Sequence, residues 1–206
     1  MARPPARPYH HGRLREAMVE ATVALIEEVG PERVTVREAA RRAGVSPGAP
    51  FRHFANKTAL MTAVAEEAMA RFKIEVLATM APVPADDPIA GMKAIGGALV
   101  RWAVANPTHF KVLSDRTMID FEGSAFLPAA NREMQAIHAA LLTQALDRGL
   151  IRPGDPKALA LAGRALVYGL ARMYVDGQLG QWDVAPAEAE TRITAAIDDY
   201  VEGLRA

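Results

Sequence analysis

Apolar positions recur at helical spacing along almost the whole chain. Leu14, Met18, Ala21, Leu25 and Val29 stand three or four apart and mark one face of an amphipathic helix over residues 14–29, ended by Gly30-Pro31. Val36, Ala39, Ala40 and Ala43 repeat the pattern over a shorter stretch, with Arg37, Arg41 and Arg42 off that face. Leu60, Val64, Ala68, Phe72 and Val76 are spaced by four and predict a long helix over residues 58–80. Pro82, Pro84 and Pro88 break it, and Asp86-Asp87 supply a solvated turn. Further helices are predicted over residues 89–105, 109–113, 129–148 and 157–177, with a last one starting near Pro186. Residues 115–127 have no clean period but hold Met118, Ile119, Phe121 and Phe126, an irregular apolar segment suited to line or cover a cavity. No strand-like alternation and no fixed repeat occurs, so the expected fold class is all-α.

One stretch carries more than helix signals. Thr35 is placed to cap a helix, with Glu38 three residues on in the spacing of a capping box. Gly44 stops that helix, and Ser46 followed by Pro47 predicts the start of a second one. Val45 and Phe54 would fix the angle between the two, while Gly48, Ala49 and Pro50 leave the exposed front of the second helix nearly bare. Two short helices across a tight turn make a helix-turn-helix, whose second helix can enter the major groove of DNA. Its polar reach comes from Ser46, Arg52, His53 and Lys57, with Arg52 best suited to a guanine or a phosphate. Asn56 can cap the next helix, whose free N–H groups and Lys57 would then face a phosphate. The helix over residues 14–29 completes a three-helix head.

Charge sharpens this picture. The 206 residues are neutral overall, with 24 Lys+Arg against 24 Asp+Glu. Residues 1–57 nevertheless hold 10 Lys+Arg and 6 Asp+Glu, a balance of +4, which leaves −4 for the rest. A basic head on an acidic body suits a chain of which one end meets a polyanion. Residues 1–12 carry Arg3 and Arg7 among Pro4, Pro5 and Pro8 and read as a flexible basic arm that adds phosphate contacts. Without cysteine there is neither disulfide nor thiolate metal site, and His10-His11 have no further ligands nearby, so no metal or cofactor is expected. No apolar run approaches the roughly 20 residues needed to span a bilayer. The Arg- and Pro-rich start is unlike a secretory signal, so a cytoplasmic location is expected, at the nucleoid when DNA is bound. Neither a Ser-His-acid set, a Gly-rich phosphate loop nor paired carboxylates stand out, which argues against an enzyme.

Arg13-Leu14-Arg15-Glu16-Ala17, Thr35-Val36-Arg37-Glu38-Ala39-Ala40, Gly44-Val45-Ser46-Pro47-Gly48 and Phe51-Arg52-His53-Phe54 with Lys57 together resemble the DNA-binding domain of the TetR family of bacterial regulators. The resemblance implies DNA contacts at Thr35, Ser46, Gly48, Phe51, His53 and Lys57, and Arg37, Pro47, Ala49 and Arg52 complete the expected surface. Phe51 departs from the family, which usually has a Tyr there whose hydroxyl reaches a phosphate. Residues 13–72 are then the DNA-binding domain and residues 73–206 an all-helical ligand-binding and dimerisation domain. Residues 165–179 also resemble a subgroup named for a Trp-x-x-His-Gly signature, with Ala165 and Tyr168 in place of Trp and His, and Gly169 kept.

Ala162, Ala165 and Gly169 permit close helix approach, while Ile193, Ala196, Ile197, Tyr200 and Leu204 form a stripe that could close the monomer core or pair protomers. The resemblance implies that the last two long helices form an intersubunit bundle, hence a homodimer. Trp102, Phe110, Met118, Phe121, Met134, His138, Tyr168, Arg172 and Tyr174 are candidate pocket residues, an aromatic and Met-rich set with a few polar tips. That set suits a small, mostly apolar, largely uncharged organic ligand. The implied function is a dimeric repressor that binds a palindromic double-stranded operator and is released by this small-molecule effector. A ligand-independent DNA-binding or adapter protein is the alternative, with a helical enzyme behind it.

Overall fold

The computed structural model describes residues 11–46 and 48–206, so most of the expected basic arm and the expected DNA contact Pro47 lie outside the described residues. The helices are α1 (His11–Val29), α2 (Val36–Arg42), α3 (Lys57–Met80), α4 (Pro88–Ala105), α5 (Pro107–Ser114), α6 (Leu127–Asp147), α7 (Pro156–Val175) and α8 (Ala189–Glu202). Among the described residues there is no strand, only a single antiparallel bridge between Ile151 and Arg205. The all-α expectation holds.

Local chemistry sets the boundaries. Thr35 accepts a hydrogen bond on its hydroxyl from the Glu38 amide at 3.1 Å, and Asn56 does the same for Ala59 at 2.8 Å. Asp87 caps α4 by accepting from the Ala90 amide at 2.9 Å, directly before Pro88 at the first helical position. Gly44 takes φ of 68°, which lets the Val45 amide return to the Ala40 carbonyl at 3.0 Å and close α2.

The second helix of the motif differs from expectation. Among the described residues only a single 3-10 turn, Pro50–Arg52, forms where an α-helix from Ser46 was predicted. Pro50 has no N–H to return to the Ser46 carbonyl, which instead accepts from Ala49 at 3.1 Å in the tighter pattern. Pro50 is also buried rather than on the exposed front, and Val45 is only half-buried beside the fully packed Phe54.

A continuous core runs from Leu14, Met18 and Phe54 in the head, along Leu60, Val64, Ala68, Phe72 and Val76 of α3, to Trp102, Phe110 and Leu127 in the body. Head and body therefore share one interior. The body is built around α4, which packs against α3, α5, α6, α7 and α8. Gly91 and Gly96 permit two close approaches, because a Cβ there would lie 2.7 Å from Leu141 of α6 and 2.8 Å from Ile197 of α8 respectively.

By length and composition alone α7 is apolar enough to cross a membrane, although Lys157, Arg164 and Arg172 interrupt it. Only 11% of its most apolar stretch is buried in the protomer, so this helix presents a mostly uncovered apolar surface.

The cap at the start of α3 gives a direct test. Asn56→Ala should lower stability by about 1 kcal/mol. Fluorescence of the two body tryptophans and a label placed on α1 should report the loss at the same denaturant midpoint.

Candidate nucleic-acid interface and internal cavity

The head presents its cations unequally. Arg41 is paired to Glu38 and Arg42 to Glu28, the latter through two bonds of 2.6 Å. Those pairs hold Glu28 and Glu38 below the usual carboxylate range. Arg37 and Arg52 are exposed and make no ion pair among the described residues. Lys57 donates to the Glu32 backbone carbonyl at 2.9 Å, which fixes its stem at the start of α3 and leaves its charge uncompensated. Thr35, Ser46, Gly48, Phe51 and His53 are exposed and Ala49 half-buried, with Phe51 at 46% exposure. The predicted contacts thus gather around the 3-10 turn and the N-termini of α2 and α3. Side chains able to read bases are few there.

The body contains a cavity in two adjoining lobes of about 510 and 290 Å³. Five of the predicted pocket residues line it: His138 in the larger lobe, Trp102, Phe110 and Tyr168 in the smaller, and Met134 in both. Four do not. Met118 and Phe121 pack against the main core, Arg172 is bonded to Asp176 at 2.6 Å, and Tyr174 packs with Leu179 and Val100. The sequence reading missed Arg116 and Arg164, which line both lobes. Arg164, midway along an Ala- and Leu-rich helix between Lys157 and Arg172, was the available signal. Arg116 and Arg164 are exposed to solvent as well as lining the cavity, and desolvation by the surrounding protein lowers the pKa of each from the usual guanidinium value. Arg116 stacks on the Phe121 ring, 3.3 Å from its centroid.

Residues 115–126 link this cavity to the head. The Asp120 amide donates to Thr62 Oγ1 on α3 at 2.9 Å, and Ser124 Oγ donates to Glu66 Oε1 at 2.7 Å. Ser124 also accepts from the amides of Phe126 and Leu127, so it starts α6 as well. The other oxygen of Glu66 accepts from Arg15 of α1 at 2.5 Å. One carboxylate thereby joins head, α3 and the cavity segment.

The residues assigned to an intersubunit surface fall into two groups. Ile193 and Ile197, each 2% exposed, lie inside the protomer against Val100 and Leu179, and Tyr200 and Leu204 line the cavity. Ala162 and Ala165 are exposed and Gly169 is half-buried with open space where a Cβ would point. Leu161 beside them is 71% exposed.

This is an all-α protein with a helix-turn-helix head continuous with a cavity-bearing helical body. Residues 18–64 match the family model for bacterial regulatory proteins of the tetR family, and residues 92–200 match that of the tetracyclin repressor-like C-terminal domain. The chain belongs to the TetR family, a family of regulatory proteins rather than enzymes. It is similar to the HTH-type transcriptional regulator BetI of Yersinia pestis, 32% identical over 81 residues. That match covers 39% of this chain and only 41% of BetI. A protein of unknown function from Rhodococcus sp. RHA1 shares the fold over 98% of this chain and 100% of its own, with a TM-score of 0.79 and 28% identity. AibR, solved with isovaleryl coenzyme A and operator DNA, aligns over 89% of this chain and 95% of its own with a TM-score of 0.67 and 20% identity.

Two histidines make the body sensitive to acid. Burial lowers the pKa of His109, helped by Arg71, and lowers that of His138, helped by Arg164. The unfolded chain then binds more protons than the folded one below pH about 6.5, so stability should fall as pH drops through that value. Thermal midpoints between pH 7.5 and 5 should decline, and more shallowly in a His138→Gln variant.

Proposed function

We propose that the protein is a dimeric DNA-binding transcriptional repressor whose helical body takes a small-molecule effector and then releases the operator. The observation that carries this reading is the continuity between three parts: uncompensated cations at the tip of the head, a drug-sized cavity in the body, and the α3 core joining them. Residues 13–72 act as the DNA-binding domain and residues 73–206 as the effector and dimerisation domain. AibR, captured with an acyl thioester and operator DNA, is a precedent for that division of labour. Such a repressor works in the bacterial cytoplasm.

Dimerisation follows from two physical needs. A short, proline-interrupted recognition turn makes few base contacts, and two-fold repetition over half-sites about 34 Å apart restores affinity. The apolar and mostly uncovered face of α7, with Leu161, Ala162 and Gly169, is the surface a second copy would cover. Release works if the effector favours a conformer in which residues 115–126 pull on Thr62 and Glu66 and tilt α3 with the head.

Selection of bound sequences from a random DNA pool tests the reading, and a palindrome should emerge. On that sequence Arg52→Ala should cost about 1–3 kcal/mol and relax preference at one position. Lys57→Ala should weaken binding to all sequences alike and lower the salt slope by about one. Ala162→Glu, which sets like charges facing each other across the proposed interface, should yield a monomer in sedimentation and lose operator binding. A pool that returns no common sequence would remove the proposal.

A further inference from the structure

The cavity is lopsided in charge. Arg116, Arg164 and Lys157 contribute to its lining, and no Asp or Glu lines either lobe. Arg116 and Arg164 form no ion pair and no hydrogen bond among the described residues; their recorded partners are the aromatic faces of Phe121 and Tyr168. Glu122 is near enough to act on Arg116 electrostatically without pairing with it. The two guanidinium groups also repel each other. Arg15, Arg41, Arg42, Arg172 and Arg205 are each bonded to a carboxylate, whereas Arg37 and Arg52 in the head are, like the two cavity arginines, without an ion pair among the described residues. Both cavity arginines are exposed to solvent as well as lining the lobes, so the unpaired state carries no large penalty. Two like charges without a counter-charge at one cavity nevertheless form a site that an entering anion completes. An arginine fork matches the two oxygens of a carboxylate or the oxygens of a phosphate.

The remaining wall sets the other half of the ligand. Val76, Met92, Ile95, Leu99, Leu142 and Val167 form an apolar surface in the larger lobe, away from any charge of their own. His138 has its pKa pushed down by burial and by Arg164, which favours its uncharged form. We infer that the effector is an amphipathic organic anion, with an anionic head between Arg116 and Arg164 and an uncharged apolar body along α3, α4 and α6. This inference rests on reading the cavity as the effector site and replaces the expectation of an uncharged ligand. It also gives the effector a grip on residues 115–126, because Arg116 belongs to the segment that holds Thr62 and Glu66.

The test is calorimetric titration of the full, DNA-free protein with three ten-carbon probes below their micellar concentrations: decanoate, decyl phosphate and 1-decanol. At least one anion should bind roughly 10–100-fold more tightly than the alcohol, and the tighter of the two identifies the head as carboxylate or phosphate. Arg164→Met and Arg116→Met should each erase most of that advantage while leaving the affinity for 1-decanol nearly unchanged. The thermal midpoint of either apo variant should be equal to or above the parent's, since each removes an unpaired cation. Should a Met variant fail to fold, Arg164→Lys serves instead and should retain part of the preference. Equal affinity for alcohol and anions, or failure of both anions to bind, would overturn the inference. Because no DNA is present, this outcome is separate from the regulator reading: anion preference without any effect on a selected operator would sink that reading alone.

Discussion

Head and body are joined through α3, and the interaction that orients them is the Glu66 carboxylate, which takes Arg15 of α1 on one oxygen and Ser124 on the other. Two kinds of force meet there. The apolar interior along Leu60, Val64, Ala68 and Phe72 supplies the stability, since each fully buried side chain contributes about 1.5–3 kcal/mol. The Arg15–Glu66 pair is partly exposed and, like most such pairs, contributes no more than about 1 kcal/mol. Its value is geometric. It joins a helix of the head, through one carboxylate of α3, to the segment that also carries Arg116 in the cavity wall.

The head is correspondingly economical in what it reads. Its recognition element is a 3-10 turn built on Pro50, with Phe51 exposed where a hydroxyl-bearing side chain is usual in the family. Arg37, Arg52 and Lys57 are among the cations left without an ion pair, while Arg41 and Arg42 are paired to neighbouring glutamates. A head of this kind leans on phosphate contacts, DNA shape and the spacing of two copies more than on base edges. Positioning the copies then becomes the quantity that an effector must change.

Much of this was legible in the sequence because the signals were local. Thr35, Asn56, Gly44 and the prolines at 82, 84 and 88 act through their own backbone neighbourhood, and the helices end where these residues say. The 3-10 turn was misread because Pro50 was judged by its place in a first turn, when the missing N–H removes the bond that would have started an α-helix. Arg116 and Arg164 were invisible for a different reason. What makes them functional candidates is that no carboxylate shares the cavity lining with them, and only the packing of α6 and α7 with the segment after α5 reveals it. Ile193 and Ile197 likewise share a stripe in sequence with Ala196, yet both isoleucines pack in the protomer core with Val100 of α4, Ile197 against the gap left at Gly96.

Coupling between the cavity and the head is the central claim, and linkage tests it most directly. Operator affinity should be measured with and without a saturating cavity ligand, and ligand affinity with and without operator. The account predicts that each weakens the other by one and the same factor, on the order of 5–150-fold. Thr62→Val, which removes the anchor of the cavity segment on α3, should shrink that factor while both single affinities persist. A factor of one in the parent protein would contradict the account.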